Sequence, residues 1–70
     1  MTEKDIKQLE LCVEQCPKLP TEESKAKPGR QLARCVHSGT LGTGSTPEYA
    51  QLDLKRLLES ILEDARSPQT

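Results

Sequence analysis

Three cysteines and one histidine are the side chains of this 70-residue chain best suited to hold a metal or to do thiol chemistry. Cys12 and Cys16 stand four apart, a spacing that puts both thiols on one helical face. Cys35 and His37 stand two apart. Three thiolates and an imidazole are a donor set for tetrahedral zinc. Neither pair has the usual two-residue spacer, however, and Pro17, Pro20 and Pro28 interrupt the 18 residues between Cys16 and Cys35. The expectation is therefore free thiols packed on apolar faces, with no metal and no cofactor. A small zinc-stabilised module using Cys12, Cys16, Cys35 and His37 is the alternative, and thiol redox chemistry is a further reading. Three cysteines do not close a disulfide framework, which suits a reducing cytoplasmic or nuclear compartment.

Catalysis has little to rest on. Ser38 and Cys35 are neighbours of His37 in sequence, but a nucleophile needs a positioned base and a third group to orient it. The glycines at 39, 42 and 44 lack the lysine of a phosphate-binding loop. The chain reads as a non-enzyme.

The other concentration of chemistry is apolar and lies near the C-terminus. Leu52, Leu54, Leu57, Leu58, Ile61 and Leu62 fall within eleven residues. Leu54-Lys55-Arg56-Leu57-Leu58 has the form LxxLL and resembles the helical segment with which coactivators enter the groove of nuclear receptors. Leucines at i, i+3 and i+4 share one face and fit a shallow apolar groove. Leu52, Leu54, Leu58 and Ile61 also match a spacing similar to a reversed nuclear export signal. Tyr49 and Leu52 resemble the aromatic-x-x-aliphatic motif that adds as a strand to ubiquitin-like modifiers, and equally a tyrosine-based docking site. The strand reading needs an extended backbone at Tyr49, whereas Ser45, Thr46 and Pro47 are the cap and first residue of a helix. The helical reading wins, and Tyr49, Leu52, Leu54, Leu57, Leu58 and Ile61 become the candidate partner-binding residues. The same leucines could instead pack on the N-terminal helix or on a second copy of the chain. Thr46-Pro47 and Ser67-Pro68 are candidate proline-directed phosphorylation sites. A phosphate on Thr46 would sit at a helix N-terminus and stabilise it.

The elements that must position these residues follow from pattern. Ile6, Leu9, Val13 and Cys16 recur at three, four and three, so residues 1–16 hold an amphipathic helix, which Pro17 ends. Residues 17–46 read as a mostly flexible linker rich in Pro, Gly, Ser and Thr, with a short helical turn at about 31–37. Residues 47–65 form a second amphipathic helix, and 66–70 a disordered tail. The expected fold class is all-α: two amphipathic helices, possible as a helical hairpin, marginally stable or partly disordered alone.

Composition bounds the rest. Leu, Ile and Val number fourteen of seventy, Tyr49 is the only aromatic, and ten basic against eleven acidic side chains leave a net charge of −1. So few large apolar groups give a weak core at best. Near-neutral charge excludes a dedicated nucleic-acid binder, and no apolar run is long enough to span a bilayer. The N-terminus lacks the pattern of a secretory signal. The function expected is a regulatory or adaptor protein whose Leu-rich helix enters a partner's apolar groove. A self-associating helical bundle, as a homodimer, is the second reading.

Overall fold

A computed structural model describes residues 2–66. Helix α1 (Glu3–Gln15) begins at a capping box: the Asp5 N–H donates to Thr2 Oγ1, and the Asp5 carboxylate accepts from the Thr2 N–H. Pro17 turns its end into a 3-10 turn (Cys16–Lys18). Three short strands follow, β1 (Thr21–Glu23), β2 (Gln31–Arg34) and β3 (Leu41–Gly44), and then helix α2 (Pro47–Arg66). Thr46 caps α2, its hydroxyl accepting the Tyr49 N–H at 3.2 Å.

The chain is not all-α. The strands form an antiparallel meander in the order β1-β2-β3, with Thr21 opposite Ala33 and Ala33 opposite Gly42. Residues 31–34, expected as a helical turn, are the central strand. Sheet formation here comes from what the strands meet rather than from their own propensity. The turn between β1 and β2 closes through the Ser24 N–H to the Arg30 carbonyl (2.8 Å), with Gly29 at φ +89°. The turn between β2 and β3 closes through the Cys35 N–H to the Thr40 carbonyl (2.9 Å), with Gly39 at φ +74°. Both glycines occupy left-handed backbone that a side chain disfavours.

Where α2 crosses the sheet it meets small groups: Ala33, Gly42, Gly44 and, just past β2, Cys35. That lets α2 lie very close. A Cβ on Gly42 would come within 3.0 Å of the Leu54 amide nitrogen and the Ala50 carbonyl oxygen. Buried Ala50, Leu54, Leu58 and Leu62 line α2 at four-residue intervals, and α1 adds Leu9 and the 3-10 turn Cys16. No aromatic side chain enters this core. α1 packs on α2 and on the 3-10 turn, while α2 carries the sheet. The molecule measures 43 × 22 × 16 Å. The open edge of β3 is covered from α2: Asp53 accepts the Thr43 N–H at 2.9 Å, removing a free donor from an exposed strand.

Candidate functional site

The four residues weighed as zinc ligands separate into two groups. Cys12, in the last turns of α1, meets Cys35 at the end of β2, with their sulfurs 3.1 Å apart. Cys16 is buried with its thiol in the core. His37 lies on the far side of the β2–β3 turn, its Nε2 3.6 Å from an Asp5 carboxylate oxygen, an ion pair when the imidazole is protonated. Among the described residues no three His, Cys, Asp or Glu side chains converge so as to hold a metal ion. The zinc alternative is not supported by this arrangement.

The surroundings of the two paired thiols differ. Burial pushes Cys12 up, and its hydrogen bond to Cys35 pushes it further, to about 11. Burial acts on Cys35 in the same direction but is outweighed. Ser38, Cys12 and the backbone at His37 favour its thiolate and hold Cys35 below the ordinary thiol value. When the pair ionises, the charge is therefore favoured on Cys35 over Cys12. Cys16 is raised, chiefly by burial. On α1, the hydrogen bonds from Thr2 lower Asp5, which keeps it charged opposite His37.

The candidate docking leucines are divided by the fold. Leu54 and Leu58 are fully buried against the sheet and α1, so they cannot enter a partner's groove while α2 stays in place. Ile61 packs half-buried against the same core. Leu57 is at the margin, and Tyr49 and Leu52 face outward at 61% and 49% exposure. Tyr49, Leu52 and Arg56, spaced three and four apart, line an open cleft of about 310 Å³ together with Thr43, Gly44 and Asp53. Thr46 is half-buried as the α2 cap, and Ser67 lies outside the described residues.

Sequence reasoning weighed Ser38 only as a neighbour of His37 and missed its effect on Cys35, and it missed Arg56 and Asp53, which flank the outward cleft. The spacing of Arg56 from Tyr49 and Leu52 was a usable signal. The approach of Ser38 to Cys35 depends on the Gly39 turn and had none. Among the described residues no helix is long and apolar enough to cross a membrane. Comparison with known proteins finds no family, no curated protein and no solved structure that matches this chain.

Proposed function

We propose that this chain is a small non-enzymatic protein-binding module that docks through the outward side of α2, and that the partner this surface suits best is a second copy of the chain. The observation that carries the reading is the position of Tyr49. A core with no aromatic side chain would gain most from burying it, yet the only aromatic stands exposed beside Leu52. Tyrosine and arginine are the side chains over-represented where binding energy concentrates. Here they share one helix face with a leucine between them.

The strip is self-complementary. In an antiparallel pairing of two α2 helices centred on Leu52, the leucines meet on the two-fold axis. Arg56 of one copy then lies over Tyr49 of the other and within reach of its Glu48. Glu48 and Arg56 have no partner among the described residues, so both charges are free to pair across that axis. Such an interface is small, and the association is weak and concentration-dependent.

Sedimentation equilibrium from micromolar to millimolar concentration tests this. The wild-type mass rises toward that of a dimer. The Tyr49→Ala/Leu52→Ala double variant stays monomeric with an unchanged circular dichroism spectrum, and Arg56→Glu weakens association. A wild-type chain that stays monomeric at millimolar concentration, or a double variant that associates equally well, overturns the proposal.

A further inference from the structure

Cys12 and Cys35 lie 23 positions apart in the chain, yet their sulfurs sit closer than two sulfur atoms in simple van der Waals contact. Both are free thiols. A disulfide bond is about 2.05 Å long, so joining them requires the sulfurs to approach by only about 1 Å. The thiols are unlike. Cys12 is half-buried and meets solvent, whereas Cys35 is buried at 1% exposure, with Ser38 and the backbone at His37 beside it. We propose that Cys12 and Cys35 are a redox modification site that closes reversibly to an intramolecular disulfide, with a hydroperoxide as oxidant and a dithiol as reductant.

The chemistry balances in two steps. The Cys35 thiolate attacks one oxygen of hydrogen peroxide. An S–O bond forms, the O–O bond breaks, and the departing hydroxide takes up the proton that Cys35 gave up, leaving as water. Cys35 is now a sulfenic acid, oxidised by two electrons. The Cys12 sulfur then attacks the Cys35 sulfur. An S–S bond forms, the S–O bond breaks, and the second hydroxide leaves with the Cys12 proton as a second water. In sum, two thiols lose two hydrogen atoms and one peroxide becomes two waters. In reversal a dithiol attacks the more exposed Cys12 sulfur, passes through a mixed disulfide and closes on itself, returning one proton to each cysteine.

The arrangement suits this division of labour. Reactivity of a thiol follows its thiolate fraction and its access: the surroundings of Cys35 favour the thiolate there, and the half-buried Cys12 sulfur beside it is the one that meets solvent. Cys12, held as the thiol at its side, is the resolving partner. Cys16, although also buried nearby, has no hydrogen bond to either sulfur and is left out of the pair.

Intact mass spectrometry of the full chain after one equivalent of hydrogen peroxide tests the proposal. The expected product is a monomer lighter by two hydrogen atoms, restored by dithiothreitol, whose non-reduced peptide map links Cys12 to Cys35. Cys16→Ala leaves this closure intact. Cys12→Ser abolishes it and leaves a dimedone-reactive sulfenic acid on Cys35. Addition of oxygen without loss of hydrogen in the wild-type chain overturns the assignment, as does a bridge that includes Cys16 or a cross-link between chains. These deciding measurements are made on the wild-type chain, so they stand even where a variant fails to fold.

Discussion

Gly42 and Gly39 show how differently two glycines in one small protein can be constrained. At Gly42 a methyl group would press on the Leu54 nitrogen and the Ala50 carbonyl oxygen, both backbone atoms of α2 that no rotamer change can move. Gly42→Ala must push the helix off the sheet, at a cost of about 2–4 kcal/mol. Gly39 has open space around it, and only its φ of +74° resists a side chain, so Gly39→Ala costs about 1 kcal/mol. Urea denaturation of the two variants distinguishes these magnitudes. The paired thiols give a second prediction at this scale. Cys12 ionises less readily in the fold than in the unfolded chain, so its contribution to stability is complete below pH 9 and is lost as pH rises from 9 to about 11. Cys35 has the opposite sign: its contribution is present above pH 9 and is lost as pH falls through its lowered folded value. The joint contribution of these two thiols to the stability of the reduced protein is therefore largest near pH 9, and the Cys12→Ser/Cys35→Ser variant loses that contribution. Thiolate absorbance shows one cysteine ionising below the ordinary value and the others above it. Sequence spacing could list these cysteines as candidates but could not pair them, because 22 residues, among them the 3-10 turn, β1 and β2, lie between Cys12 and Cys35.

Helix α2 carries the packing of the whole fold, and its two faces answer mutation differently. Leu54→Ala and Leu58→Ala remove fully buried side chains and cost about 2–5 kcal/mol each. Leu52→Ala on the outward face stays within about 0.5 kcal/mol. Thermal or urea unfolding of the three variants reads this contrast directly, and equal losses would show that the helix packs by a different face. Both helices were legible in the sequence, because leucine periodicity and the Thr2 and Thr46 caps are local signals. The strands were not. In and just past β2, Leu32, Cys35 and Val36 are spaced as a helical stripe would be, and Ala33 is too small to reveal the inward alternation. β1 is Thr-Glu-Glu, with no apolar residue, and exists because β2 pairs with it. β3 is Leu-Gly-Thr-Gly, whose glycines read as flexible although they are the positions where α2 comes closest. The same helix explains the fate of the LxxLL pattern: an amphipathic stripe announces that something covers it, and here the cover is this chain's own sheet.

At the scale of the whole molecule, α1 is held mainly by the other helix rather than by the sheet. It rests on α2 and the 3-10 turn, and meets the hairpin of β2 and β3 where Cys12 meets Cys35 and where Asp5 meets His37. At the other end of the α1–α2 contact, Arg66 pairs with Glu10 at 2.9 Å, in a cleft that also holds Glu14, Glu59 and Glu63. Exposed pairs of this kind contribute at most about 1 kcal/mol. A covalent link between Cys12 and Cys35 would change that balance. It closes a loop that contains the 3-10 turn, β1 and β2, and fixes α1 to the sheet from which it is otherwise separated. For a loop of 23 positions the lost chain entropy of the unfolded state corresponds to about 3 kcal/mol. In a domain of this size that raises Tm by roughly 12–24 °C. Paired melting curves of the peroxide-closed and dithiothreitol-reduced protein should show the closed form melting higher. Amide exchange in α1 should slow in parallel, since a helix attached at one face becomes attached at two. An unchanged Tm would mean that strain at the bridge cancels the entropy gained. With so few large side chains in the core, even half of the expected increment would make the oxidised and reduced forms differ in how firmly α1 is held.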